Sequence, residues 1–519
     1  MTAKYPNQRR EKMTDFLGQT KRPGVYGQID FSQARSTTGA REYFACIMGQ
    51  KLSTGTALAN MPYQVLNENE VKTLFGAGSV IHQIWLSFVG QAGDTFPVEI
   101  VAQADPVGSK AKFTVDYTAS YSVASAKAGV ESLFILGAQY DVAVAVGDTA
   151  TDVASAMDDA INDNQDAIYV ATSASGVLSI EFKHVGVVGN DLLGGIYHHD
   201  RGLITSPSGA RPTIAQTVVG SGSPSVSDAL AAVANKAYTH IYTHYINEAN
   251  LELFNLDATE RWEAFGSQYD YHVFVATRGS ATDLINWIGS PLDSDRVINS
   301  KHINIIALPD SYTIAGVLLP NLTQASWVVG AAAMGEAMNR ASKSRATANV
   351  KGILLCTGDL NLDYTNAEKE QLIANGLGYV VNASGDIKIG KLITTQVAEF
   401  GVLTDKYRNY ETIAGASFVR WFFVQFIKQR HPQSNFSGTE SRAAQEAVDV
   451  LTPHKLNALF MEGALILQNQ LVIEDMQAFK QSLKSAGSTI NCDRTNTDFV
   501  ATLVKLADQI SFNAGIRLC

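Results

Sequence analysis

Between residues 241 and 356 the sequence returns four times to a short apolar run, at 241–245, 272–276, 303–308 and 352–356, with helix-length segments between the runs. Parallel strands need crossovers, and helices supply them, so this alternation predicts a largely parallel sheet covered on both faces. One such sheet does not use up 519 residues, which at about 100 to 200 residues per domain make three or four domains. Hydrophobic residues are 46% of the chain and charged residues 17%, which excludes wholesale disorder and a coiled-coil rod. Forty Lys plus Arg against fifty Asp plus Glu leave a net charge of -10, so nucleic acid is not an expected partner; neutralising phosphates takes a cationic surface.

The fold class expected is a multidomain α/β protein. Its parts are a mixed or parallel sheet body with helices on both faces, a β-rich insertion domain, and a mainly helical C-terminal domain with terminal strand arms. Residues 1–32 make an N-terminal tail and strand arm: six basic groups (Lys4, Arg9, Arg10, Lys12, Lys21, Arg22) precede a stretch in which Val25, Gly27, Ile29 and Phe31 alternate with polar residues and Tyr26. The body takes 33–104 plus 223–400, with a strand at 43–48, a helix at 68–75 and a long Ala- and Gly-rich helix at 323–341. Residues 105–222 form the insertion, where Phe113, Val115 and Tyr117, then Val142, Val144 and Val146, then Leu178, Ile180 and Phe182 repeat with period two. One helix interrupts it, capped by Thr149 or Thr151 and striped by Val153, Met157 and Ile161. Residues 401–507 are mainly helical, at 405–428, 440–451 and 454–469. The closing arm, 508–519, alternates Ile510, Phe512, Ala514, Ile516 and Leu518 with Ser511, Asn513, Gly515 and Arg517. A terminal strand outside its own sheet offers unpaired N–H and C=O groups and recruits partners, although pairing within the subunit remains open on these residues alone.

Motifs for chemistry fail on inspection. Cys46, Cys356, Cys492 and Cys519 have no CxxC spacing, so neither a zinc cage nor a disulfide framework is expected, and a reducing compartment fits. The segment 385–392 spells most of a phosphate loop, but Leu392 stands where the magnesium-holding hydroxyl belongs, and Ile387 and Ile389 alternate as in a hairpin. Asp359, Asn361, Asp363 and Glu370 have the spacing of a calcium loop, yet Tyr364 replaces its glycine; a surface turn with a helix cap is the reading. His240 and His244 sit i, i+4 on a strand-like segment, too far apart for a helix-style metal pair. His198, His199 and Asp200 read as a solvent loop among glycines. No catalytic residue, cofactor or metal is expected. The first thirty residues hold no signal-peptide core, and the apolar stretches 327–334 and 418–427, the second broken by Arg420, are too short for a bilayer.

Two ordered groups of segments carry a resemblance. The first is Pro23-Gly24-Val25-Tyr26, then residues 41–50 (REYFACIMGQ), Gly55-Thr56-Ala57 and residues 74–79 (LFGAGS). The second runs from residues 362–368 (LDYTNAE) through 372–376 (LIANG) and 385–389 (GDIKI) to Leu392-Ile393-Thr394-Thr395-Gln396. Their order and spacing resemble the contractile tail sheath proteins of bacteriophages, of the Mu-like type. A basic residue before the Ile-Thr-Thr element is present as Lys391, whereas Gln396 replaces the usual closing Tyr. The resemblance spans most of the chain and is weakest across 105–222.

The resemblance implies a structural subunit of hexameric rings stacked around a tail tube. It implies arms that add strands to neighbouring subunits, and contraction that drives the tube through the host envelope. It places that exchange on Val25, Ile29, Phe31, Ile510, Phe512, Ile516 and Leu518, and suggests a tube-facing helix at 441–451 with Arg442, Gln445 and Glu446. The implied partners are further copies of the chain, the tail tube protein, and baseplate and tail terminator proteins, with no nucleic acid and no direct membrane insertion. The implied place is the phage tail of the virion, assembled in the host bacterial cytoplasm. Two other readings stay open: an α/β enzyme whose active site lacks a sequence motif, and a tail-associated receptor-binding module using the insertion.

Overall fold

All six residues of strand β1 (Ala45–Gln50) are buried, the pattern of a strand covered on both faces. The computed structural model describes residues 41–504 apart from 94–95, 199–205, 264–268, 315–316, 321, 323, 344–348, 361, 432, 439, 448 and 491–493. Both expected arms, with Val25, Ile29, Phe31, Ile510, Phe512, Ile516 and Leu518, therefore lie outside the described residues, as do His199 and Asp200. After β1 come β2 (Pro62–Val65), α1 (Glu68–Phe75), α2 (Val80–Ala92) and β3 (Val98–Gln103). Asn67 and Ser79 cap the two helices by accepting from the Glu70 and His82 amides.

The span 105–222 holds β4 (Lys110–Asp116), β5 (Gly129–Ile135), β6 (Ala138–Val144), α3 (Ala150–Asn162), β7 (Tyr169–Ala174), β8 (Val177–Val185), β9 (Ile196–His198) and β10 (Thr213–Val218). They form two antiparallel sheets, β10-β4-β8-β7 and β6-β5-β9. Thr149 caps α3 in a reciprocal box with Asp152, and Val153, Met157 and Ile161 face inward. Phe113, Val115, Ile180 and Phe182 join the same apolar cluster as Phe88 of α2 and Trp327. One core therefore runs from this segment into the main sheet's cover.

The chain then lays down α4 (Ser227–Ala232), β11 (His240–Thr243), α5 (Glu248–Trp262), β12 (His272–Arg278), α6 (Ala281–Ile288), β13 (Ile303–Leu308), a hairpin β14 (Ser311–Ile314) and β15 (Val317–Pro320), α7 (Ser326–Lys343), β16 (Leu354–Asp359), α8 (Asn366–Ala374), β17 (Leu377–Ala383) and β18 (Asp386–Lys391). Nine strands make one sheet in the order β16-β18-β17-β13-β12-β11-β1-β3-β2. From β17 to β3 all pairs are parallel, while β2 and β18 pair antiparallel with their neighbours, so the sheet is mixed. The run expected at 352–356 forms an edge strand antiparallel to β18, not a further parallel one; a hairpin, not a helix, joins its partner to β17. Tyr242, Phe274 and Ile306 face α2 and α7, and Ile241, Val273 and Ile305 belong to the opposite cluster with residues of α4, α5, α6 and α8. Gly330 lets α7 lie close to the sheet, since a Cβ there would meet the Tyr242 hydroxyl at 2.6 Å and Ala276 Cβ at 2.7 Å.

A short hairpin, β19 (Ala398–Glu399) and β20 (Val402–Leu403), precedes α9 (Tyr410–Arg430). The helix expected from 405 starts five residues later; Asp405 and Arg408 pair across a turn at 2.7 Å, and Asn409 occupies the cap position. There follow β21 (Asn435–Phe436), α10 (Arg442–Glu446), β22 (Val450–Leu451), α11 (Pro453–Asn469), β23 (Ile473–Glu474), α12 (Met476–Ser482), β24 (Lys484–Gly487), β25 (Thr495–Asp498) and β26 (Thr502–Leu503). Phe422, Phe423, Phe426, Phe460 and Phe479 fill a separate core here. The Phe423 ring lies 5.1 Å from both Phe460 and Phe499. No helix among the described residues is long and apolar enough to cross a membrane.

Candidate assembly site

In open α/β sheets ligands bind beyond the carboxyl ends of the strands, where the strand order reverses. Here the order reverses between β1, whose next parallel strand is β3 on one side, and β11, which leads to β12 on the other. The root of the 105–222 segment fills that place. The Gln50 amide donates to Asp105 Oδ1 at 2.8 Å and to the Val185 carbonyl at 2.7 Å. His184 Nδ1 lies 2.8 Å from Asp105 Oδ1, and the Val80 amide donates to His184 Nε2 at 3.1 Å. Burial pushes the Asp105 carboxyl up, but the bonds from His184, Val185 and Gln50 outweigh it and hold the group below its ordinary value. Burial pushes His244, beside Gln50, down to about 3. Gln50, Asp105 and His184 are thus engaged in fastening one segment to another.

The residues expected to face a tube lie on α10, and Ser441 caps it by accepting from the Ala444 amide at 3.3 Å. Arg442 and Glu446 pair at 2.8 Å with 90% and 66% of their side chains exposed, and Gln445 donates to the Glu440 carbonyl. The helix expected over 440–451 stops at Glu446. Lys455 Nζ donates to the carbonyls of Ala444, Ala447 and Val450 at 3.0, 2.6 and 2.9 Å, and Val450 and Leu451 pair in parallel with β21. The ammonium thus satisfies carbonyls that helical bonding would otherwise need.

Several other expected features take definite positions. The 385–392 segment is the second arm of the β17–β18 hairpin, whose turn holds Ser384 and Gly385 at φ 62 and 105. Asp363 accepts from Lys369 Nζ at 2.9 Å and from the Asn382 amide, and Thr365 caps α8 with Glu368, so these groups serve a turn and a cap. His240 is buried within β11, while His244 falls just past its end. His198 departs from the expected solvent loop: it is buried on β9 against the fully buried Glu131 of β5, whose other oxygen accepts from Tyr121 and Ser206 at 2.7 Å. A carboxylate without exposure needs such donors, and the partner on a distant strand left no local trace around His198.

The Ile-Thr-Thr element is a buried clasp between the start of β13 and the segment that leads into α9. Thr394 donates from its amide to the Arg408 carbonyl at 2.8 Å and from its hydroxyl to the Tyr407 carbonyl at 2.7 Å. Thr395 donates to the Ile303 and Ser300 carbonyls. Arg296 donates to four carbonyls around it: Ile298 at 2.9 Å, Gly289 at 2.6 Å, Asn375 at 2.7 Å and Thr395 at 3.3 Å.

Two surface features suit association. The tip of the β19–β20 hairpin presents Phe400, 98% exposed, with Val402 and Leu403 also exposed. The ribbon β24–β25 is a two-stranded antiparallel sheet, and among the described residues no strand pairs with either outer edge; such edges accept further strands. The sequence does not mark this ribbon, because Lys484, Ser485, Thr495 and Asn496 carry no apolar alternation.

No family model matches the chain. The Mu-like prophage FluMu tail sheath protein of Haemophilus influenzae is 26% identical over 481 residues, 91% of this chain and 93% of that protein. Among solved structures, the sheath tail protein of Desulfitobacterium hafniense matches with a TM-score of 0.47 and 14% identity, covering 93% of this chain and 97% of its own. The sheath tail protein of Listeria innocua matches at 0.45 and 13%, covering 91% and 94%. Likeness between structures at this level lends no residue roles to this chain.

Proposed function

We propose that this relative of the Mu-like tail sheath protein is itself the sheath subunit of a contractile phage tail. The observation that carries the reading is its identity to that protein across nearly the whole length of both chains. In this reading the subunits stack as hexameric rings around a tail tube. The arms at Val25 to Phe31 and Ile510 to Leu518 leave their own subunit and add strands to a neighbour, and the open edges of β24–β25 are the acceptor. The solvent-facing Arg442, Gln445 and Glu446 contact the tube, baseplate and terminator proteins close the ends, and the completed tail belongs to the virion after assembly in the host cytoplasm.

The energetics favour a mesh held by backbone bonds. Each such bond nets about 0.5 to 1.5 kcal/mol, so an arm making roughly five of them holds by several kcal/mol while body contacts rearrange. Work then comes from two packings of the same subunits, the extended one formed first and metastable. The groups at the sheet's switch point are engaged in fastening the 105–222 segment, which supports a structural role over an enzymatic one.

Negative-stain microscopy of the purified full chain tests the reading, with rings, tubes or sheets expected. A persistently monodisperse monomer would overturn it. Removing residues 511–519 is expected to abolish linkage between rings while circular dichroism and melting stay unchanged; normal polymerisation of that truncation would remove the C-terminal arm from the account.

A further inference from the structure

Three histidines stand side by side at the starts of three adjacent parallel strands. His240 of β11 is the direct partner of His272 of β12, and His302 immediately precedes Ile303, the β13 partner of Val273. Their side chains share the sheet face of Tyr242, Phe274 and Ile306, because each lies an even number of residues from these. Neighbouring ring centroids are 6.2 and 6.4 Å apart. All three are buried, at 2%, 4% and 1% exposure.

The row is capped by the first residue of α9. The Tyr410 hydroxyl lies 2.7 Å from His240 Nε2, and its ring stands edge-on to His272 at 4.9 Å. His240 Nδ1 lies 3.0 Å from the Thr239 hydroxyl, which itself donates to the Phe44 carbonyl. Each ring nitrogen of His240 thus has a hydroxyl partner, Thr239 at Nδ1 and Tyr410 at Nε2, and the neutral ring satisfies both with one donor and one acceptor. His272 Nδ1 has no hydrogen-bond partner among the described residues.

The surroundings are hostile to a proton. Arg41 and Tyr43 face the row from the segment before β1, Lys301 from the residue before His302, and Tyr410, Glu411 and Arg420 from α9. Asp270, just before β12, is engaged by Arg420, and Glu411 accepts from the Val350 amide. Trp262, at the end of α5, covers His302 at 5.3 Å. Three cations thus face the histidines, and both nearby carboxylates already have donors.

We propose that this row is a proton-sensitive latch, which clamps the foot of α9 to the sheet while its rings are neutral and frees it on acidification. The proposal stands apart from the assembly reading, since it concerns one subunit. Burial pushes all three rings down, His272 to about 4 and the other two well below their ordinary value. The closed state then binds fewer protons than the open one, whose rings titrate near 6.5. The latch is accordingly at full strength above about pH 6.5 and weakens as pH falls from there towards the depressed values.

Hydrogen exchange of the full chain, corrected for the intrinsic pH dependence, reads the latch in peptides covering 410–420, with 454–469 of the C-terminal core as the control. Opening at 410–420 is expected to rise about tenfold or more per pH unit below about pH 6.5, one factor of ten for each proton taken up, with the control unchanged. His302→Phe is expected to make that rise shallower. Tyr410→Phe is expected to raise opening at neutral pH and keep the slope. Exchange at 410–420 that is flat with pH, or that rises equally in the control, overturns the proposal. Should His302→Phe not fold, exchange of the imidazole carbon-bound protons in the unaltered chain decides: midpoints for all three rings well under about 6.5 support the latch, and midpoints at or above that value overturn it.

Discussion

Arg296→Met tests whether the clasp at the Ile-Thr-Thr element rests on one buried cation. Arg296 is 9% exposed, and burial lowers its pKa to about 10, which leaves it charged at neutral pH. Its four bonds reach carbonyls on three separate segments, 289–298, Asn375 and Thr395. A bond from a charged donor is worth about 1.5 to 3 kcal/mol, and a buried carbonyl left without a donor costs about 1 to 3 kcal/mol. The contact with Thr395 at 3.3 Å is the weakest of the four, so three acceptors dominate. Met keeps most of the volume and removes the desolvation of the charge, itself several kcal/mol. The net expectation is a loss of about 3 to 5 kcal/mol, with Arg296→Lys recovering part of it through an ammonium that reaches fewer carbonyls. Urea denaturation should show it as a lower midpoint for the transition that includes the large sheet, followed separately from the C-terminal transition because a chain with several cores need not unfold in one step. A loss below about 1 kcal/mol would mean that water or backbone shifts satisfy these carbonyls, and the cation-centred account of the clasp would be wrong.

Gly330→Ala places a Cβ 2.6 Å from the Tyr242 hydroxyl and is expected to cost about 1 to 3 kcal/mol, read as a lower melting temperature; an unchanged melt would show that α7 can shift freely. Phe423→Ala empties the centre of the C-terminal aromatic cluster and is expected to cost about 3 to 5 kcal/mol, with loss of near-ultraviolet dichroism from that domain while the sheet transition stays in place. A concerted fall of both transitions would show that the two cores unfold together. For Asp105, a carboxyl held below its ordinary value in the fold, stability is present above about pH 4 and is lost as pH falls through the folded value. Asp105→Asn should therefore be less stable at neutral pH and flatter across the acid limb; an identical acid limb would exclude this group from acid unfolding.

The elements written in local patterns were legible. The helix expected at 68–75 is α1, the strand expected at 303–308 is β13, and the Thr149 cap with its Val153, Met157 and Ile161 stripe is α3. Periodicity and capping reside within a few residues, so one sequence carries them. What failed depends on partners far along the chain. His198 turned inward because Glu131 waits on another strand. The helix expected at 440–451 was cut short by an ammonium and a parallel partner that no local window contains. The 105–222 segment reads as β-rich from its alternation, yet its share in the core around Phe88 and Trp327 emerges only in three dimensions. Of the candidate site, the Ile-Thr-Thr element was visible as a motif, but Arg296, which donates to the carbonyls around it, carries no signature beyond being an arginine in a loop.

Helix α9 belongs to two cores at once: Tyr410 and Ala414 are packed into the body, and Phe422, Phe423 and Phe426 into the C-terminal cluster. From Tyr410 to Phe426 is sixteen residues, about 24 Å of continuous helix at 1.5 Å per residue. The joint between the two parts is therefore a stiff rod rooted at each end in packed side chains, with no slack tether along it. A tilt at the sheet end is delivered at the far end as a displacement of proportionate size, and uncoupling the two parts would require breaking a turn of helix or uprooting one end.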